Sequence, residues 1–110
     1  MSALATRFDL GSVDQIPRGE GRNFLVGGRR VAVFRARDGH LYATQADCPH
    51  KGGPLADGLV GNGALICPLH ERRFDLVTGQ AQDGSCQLAI FPVTLRGDGG
   101  VTIEIPALPA

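Results

Sequence analysis

The sequence predicts an all-β domain of short antiparallel strands, and three observations carry that expectation. Sixteen Gly and seven Pro among 110 residues place a turn signal every few positions. The residues that favour helices are not clustered. Turn dipeptides such as Asp38-Gly39 and Asn62-Gly63 stand between β-rich apolar runs, where a tight hairpin turn needs the positive φ that Gly and Asn or Asp tolerate. At 11.6 kDa the chain has room for one core, and its 43% hydrophobic and 20% charged content is that of a globular chain rather than a disordered one. A core of this size is marginal, and small domains often add a metal or disulfides.

The elements follow in order. Ser12 can cap one helical turn through Ile16, ahead of Pro17. Asn23–Val26 reads as a strand ended by Gly27-Gly28. Arg30–Arg35 sets Val31 and Val33 against Ala32 and Phe34. Leu41–Thr44 follows, joined to it by a predicted type I′ turn at Asp38-Gly39. Ala64–Ile66 enters through Asn62-Gly63. Phe74–Leu76 and Leu88–Phe91 are further strands, with Pro92 confining the latter to an edge or bulge. Thr78-Gly79 and Asp83-Gly84 are turns. Gly97–Gly100 leads into Val101–Ile105, where Val101, Ile103 and Ile105 alternate with Thr102 and Glu104. The expected whole is an antiparallel meander with no long helix and a frayed tail, Pro106–Ala110.

Charge excludes several functions. Eleven Lys+Arg balance eleven Asp+Glu, with pI about 6.8, so no long-range field favours nucleic acid or an anionic membrane. No apolar run approaches the roughly 20 residues of a membrane span. Leu59–Leu69 is uncharged but broken by Gly61, Gly63 and Pro68. Met1–Arg7 has no basic segment followed by an apolar one, so no secretory signal is expected and the chain is read as cytoplasmic. In a reducing compartment, an odd count of three Cys near His points to metal rather than disulfides.

Two loops depart from the strand pattern, and each holds one Cys and one His: Cys48-x-His50, then sixteen residues, then Cys67-x-x-His70. Pro49 and Pro68 stiffen them, and Gly52, Gly53 and Gly58 permit sharp paths. The strand pair turned at Asn62-Gly63 can bring the loops together. Zinc accepts two Cys and two His in a tetrahedron. A [2Fe–2S] centre with two His on one iron also accepts them, and mixed Cys/His pairs fit it, each loop sending its Cys to one iron and its His to the other. A structural zinc domain for protein contacts therefore stands beside an iron–sulfur protein at this point.

Cys48-Pro49-His50-Lys51-Gly52-Gly53-Pro54-Leu55 and Cys67-Pro68-Leu69-His70, continuing through Phe74-Asp75 to Thr78-Gly79, resemble the two ligand motifs of Rieske iron–sulfur proteins. The resemblance extends over nearly the whole chain. It implies a Rieske-like antiparallel β-sandwich, one domain over residues 1–110, with a cluster-binding subdomain of two ligand loops at about 45–86. It implies a Rieske [2Fe–2S] cofactor with Cys48 and Cys67 on the inner iron and His50 and His70 on the outer. It also implies electron transfer without catalysis by the chain alone.

High-potential members of the family carry an extra Cys in each loop, and Ser and Tyr hydroxyls on the cluster sulfurs. Here Leu69 takes one Cys position, no Cys lies between Lys51 and Ala64, and Arg72 and Phe74 take the hydroxyl positions. Fewer hydrogen bonds to sulfur stabilise the reduced cluster less, so a low potential is expected.

Within the family the motifs look like the small subunit of NAD(P)H-dependent assimilatory nitrite reductase, whose partner is a large flavin and sirohaem subunit. They are also similar to the ferredoxins of aromatic-ring dioxygenase systems, whose partners are a reductase and a terminal oxygenase; Ser85–Pro92 fits that group at least as well. Cys86 reads as a small apolar residue of a loop closing over the cluster, and His40 as a surface residue. Lys51, Glu71, Arg72 and Arg73 flank the ligands as a solvated face or a docking rim. No Ser/His/Asp set or paired carboxylates point to hydrolysis, and no Gly-rich segment opens a helix as a phosphate loop must.

Overall fold

The computed structural model describes residues 5–47, 55–61, 63–66, 73–82, 84 and 87–106. Among the described residues ten strands run in chain order: β1 (Ala5–Ser12), β2 (Glu20–Val26), β3 (Arg29–Arg35), β4 (Leu41–Gln45), β5 (Leu59–Gly61), β6 (Ala64–Ile66), β7 (Arg73–Asp75), β8 (Ile90–Phe91), β9 (Val93–Leu95) and β10 (Gly100–Pro106). One-turn 3-10 segments cover Val13–Gln15 and Leu55–Asp57. The Ser12 cap forms as expected, its Oγ accepting from the Asp14 N–H at 3.0 Å.

The strands make three antiparallel sheets, ordered β1-β10-β9, β2-β3-β4-β8 and β5-β6-β7. The first two pack as a sandwich. The third is inserted between β4 and β8. The expected simple meander is therefore corrected: β1 pairs with β10 from the far end of the chain, and β8 returns to β4 across the insertion.

β3 shows why the sequence folds this way. Val31, Ala32, Val33 and Phe34 are all fully buried, a run apolar on both faces as a central strand requires. Period two divides them. Val31 and Val33 join Ile16, Val26, Ala43, Phe91, Ile103 and Ile105 in the sandwich core. Ala32 and Phe34 join Leu55, Val60, Leu65, Phe74, Leu76, Ala81 and Leu88 beneath the small sheet. One strand thus anchors both cores. Phe34 lies so close to Gly21 that a Cβ there would stand 2.5 Å from its ring, so the glycine makes room for the aromatic.

Turn chemistry departs from expectation at one hairpin. Val26 pairs with Arg29 across Gly27-Gly28, whose φ of +58° and +81° fit a two-residue type I′ turn. The β3–β4 hairpin is not of that type. Ala36 N–H bonds the His40 carbonyl at 2.8 Å and Gly39 N–H the Ala36 carbonyl at 2.9 Å, so the loop has three residues and Gly39, at φ +97°, follows a turn as a bulge. Leu88 and Ala89 lie outside the short β8, and Pro92 sits where the chain leaves that edge strand for the other sheet.

At the β9–β10 connection Arg96 bridges Asp9 of β1 and Asp98 at 3.3 and 3.2 Å. The backbone N–H groups of Gly11 and Gly100, followed by Arg96, hold the Asp9 and Asp98 carboxyls below the ordinary range. The expected tail contributes Pro106 to β10; residues 107–110 lie outside the described residues.

Candidate metal centre

Cys48, His50, Cys67 and His70 all lie outside the described residues, as do Cys86, Lys51, Glu71 and Arg72. Their frame is described, and it fixes where both ligand loops begin and end. Loop one leaves after Asp47 and is closed at its neck by the Leu55 N–H donating to the Ala46 carbonyl at 3.0 Å. Loop two joins β6 to β7, and its neck is the Ile66–Arg73 antiparallel pair. Gly58 binds the necks together: a Cβ there would run into the Ile66 carbonyl oxygen and stand 3.0 Å from a Leu65 methyl. Only the absence of a side chain allows that approach.

The chain between Gln82 and Gln87 starts from the same place. Gln82 N–H donates to the Arg73 carbonyl at 2.8 Å, while Gln80 and Gln87 form a bridge. Gly79, at φ +83°, lies against the Leu88 carbonyl where a side chain would not fit. Gln45 adds the link that sequence reading missed. Its side-chain amide donates to the Asp47 carbonyl at 2.8 Å and accepts from the Ala89 N–H at 2.9 Å, fastening the start of loop one to the chain ahead of β8. Arg30 meets Asp47 at 3.2 Å on the surface.

Phe74, at the position where high-potential relatives of the motif carry a hydroxyl, is fully buried in the small-sheet core. Its phenyl ring offers no hydrogen bond to sulfur. Arg73 is exposed at the start of β7. His40 is exposed as expected, with its Nδ1 2.9 Å from the Asp38 carboxylate and its ring 6.4 Å from that of Tyr42. It takes no part in the loop frame.

Residues 6–94 match the Rieske [2Fe-2S] domain family. The chain belongs to that family. Its cofactor is a Rieske-type [2Fe–2S] cluster. This chain's own features fit the group: two thiolates and two imidazoles divided between two loops, with their necks packed against each other through Gly58. Among individual relatives, a nitrite reductase [NAD(P)H] of Emericella nidulans is 41% identical over 96 residues, 76% of this chain. The chain spans only 8% of that protein's length. The ferredoxin component of the naphthalene 1,2-dioxygenase/salicylate 5-hydroxylase systems of a Ralstonia species is 36% identical over 73 residues, 66% of this chain and 69% of that one. A crystal structure from Mycobacterium tuberculosis, assigned as an NADH-dependent nitrite reductase small subunit, superposes with a TM-score of 0.88 at 22% identity, covering 96% of this chain and 99% of that one. At that identity it supports the Rieske fold alone. Among the described residues no helix is long and apolar enough to cross a membrane.

Proposed function

We propose that this Rieske protein is a cytoplasmic electron carrier of low potential that serves as the small subunit of an NAD(P)H nitrite reductase system. When bound, the [2Fe–2S] cluster supplies reversible one-electron chemistry. Cys48 and Cys67 would hold one iron; His50 and His70 would hold the other and give the electron its way out. Residues 1–110 act as one domain, and about 45–86 as its cluster-binding part.

The frame of the loops is the observation that supports this most. Gly58, Gln45 and the pairs Ala46–Leu55 and Ile66–Arg73 hold the two loop necks against each other, which would bring the ligands of the two loops together. The chain's residues therefore bind, orient and shield the cofactor. Reduction chemistry falls to a partner, here a large flavin and sirohaem subunit.

The 41% identity to the nitrite reductase favours this pathway. The match to 69% of the Ralstonia ferredoxin's length supports a second reading, a free carrier between a reductase and a terminal oxygenase. A stable complex with the sirohaem subunit on co-purification decides for the first. Potential tests the chemistry common to both. With Phe74 in place of a hydroxyl donor, a redox titration is expected to give a midpoint near the lower end of the Rieske range of roughly −150 to +300 mV. A clearly positive midpoint contradicts it.

A further inference from the structure

A groove of about 580 Å³ runs between the β3–β4 hairpin and β9, away from the ligand loops. Arg35 pairs with Leu41 at this end of β3, whereas Val31 pairs with Gln45, next to the neck of loop one, four residues and about 13 Å along the strand. One wall is cationic. Arg18 and Arg35 line it, and neither meets a carboxylate among the described residues.

Both arginines are held in place by backbone carbonyls. Arg18 Nη1 donates to the Arg37 carbonyl at 3.0 Å, and Arg35 Nη1 to the Ile16 carbonyl at 3.2 Å. A guanidinium has five N–H donors, so among the described residues most are left for a ligand. Arg35 Nε is buried and makes no hydrogen bond among the described residues. A charge so placed is less screened than one fully in water. Asp38, the one acid lining the groove among the described residues, is engaged locally by the His40 N–H at 3.0 Å and by His40 Nδ1 at 2.9 Å.

The other wall is apolar, formed by Leu41, Val93 and Leu95, with Leu95 48% exposed. Val93–Leu95 is the outer strand of its sheet, which leaves one backbone edge unpaired there among the described residues. An extended peptide meets all these features together: main chain along β9, apolar side chains on Leu41 and Leu95, carboxylates on the arginines. An enclosed small-molecule site would bury most of its ligand, which this open groove does not.

We propose that this groove docks an acidic, extended segment of a partner polypeptide. It is a second contact surface that leaves the ligand-loop end free for electron exchange.

The test is a titration of the iron-loaded protein with a short capped peptide of alternating leucine and glutamate, read from the arginine Nε–H resonances. The leucine–lysine counterpart and inorganic phosphate serve as comparison arms. Saturable shifts at Arg18 and Arg35 with the glutamate peptide alone are expected. Arg18→Gln should weaken binding about fivefold, the worth of one exposed ion pair. Asp38→Asn, which keeps the turn chemistry and removes the opposing charge, should tighten it about twofold. Equal shifts with phosphate at the same concentration, no saturable shift, or affinity indifferent to both variants would each overturn the proposal. The cluster's spectrum reports separately on the electron-transfer reading, so failure of one is distinguishable from failure of the other.

Discussion

The sandwich and the inserted small sheet obey different rules, although β3 contributes two side chains to each core. The sandwich has strands of up to eight residues and a core closed by Val31, Val33, Ile103 and Ile105. Its order follows from long ladders and buried aliphatic side chains. The small sheet has three strands of three residues each. Ladders so short hold little by themselves, and its core of Leu55, Leu65, Phe74 and Leu76 leans on Phe34 from the sandwich. Loop two springs from the small sheet, and loop one runs from β4 of the sandwich to Leu55 in the small sheet's core. With the proposed ligands, a cofactor joining loop one to loop two would add a cross-link between the two regions. On the proposed ligand set this is a division of labour: one region folds on apolar burial, and the other would be completed by what it binds.

The largest effect should come from removing the cofactor. After anaerobic chelation, hydrogen exchange read by mass spectrometry should rise across 55–89 and remain slow in β3, β4 and β10. Uniform loss of protection would break the comparison, since both regions would then depend on the cluster equally.

Core substitutions sharpen it. Phe74→Ala removes a fully buried ring and should cost about 3–5 kcal/mol, with the brown colour lost before global unfolding. Ile103→Ala, in the sandwich, should cost a similar ~2–5 kcal/mol while colour and unfolding are lost together. Parallel denaturant titrations followed by visible absorbance and by circular dichroism compare the two.

Much of the sandwich was legible because its signals are local. Period two in β3 and β10, the Ser12 cap and Gly27-Gly28 each lie within a few residues of their consequence. β1 and β9 escaped notice. Both are outer strands, half covered, with exposed residues such as Thr6, Arg7 and Leu95. The partner of β1 lies at the other end of the chain, beyond the reach of any pattern in its own residues. The expected turn at Asp38-Gly39 placed the hairpin correctly and its loop length wrongly, because a Gly at positive φ serves a bulge as well as a two-residue turn.

The metal centre divides in the same way. The proposed donors, Cys48, His50, Cys67 and His70, rest on sequence spacing and lie outside the described residues, whereas the contacts that fasten the loop necks come from the structure alone. Gln45 reaches Ala89 across 44 positions. Gly58 was legible as a flexible residue, but its role as the point where β6 touches the neck of loop one depends on packing.

The smallest effect belongs to surface charge at the β9–β10 connection. The Asp9 and Asp98 carboxyls lie below their ordinary value of 3.8 because Gly11, Gly100 and Arg96 favour the charged form. Their contribution is fully present above 3.8 and is lost as pH falls toward the lower folded values. Acid should therefore lower the sandwich's urea midpoint more in the parent protein than in an Asp9→Asn/Asp98→Asn variant. Equal acid sensitivity would remove this connection from the account.

Iron and acid-labile sulfide analysis, combined with low-temperature spin resonance of the dithionite-reduced protein, tests the central claim most directly. The account predicts two irons and two sulfides per chain and a signal that appears only on reduction, lost or altered in both Cys48→Ser and His70→Ala. Colourless, iron-free protein after anaerobic reconstitution, or stoichiometric zinc without a signal, would contradict it.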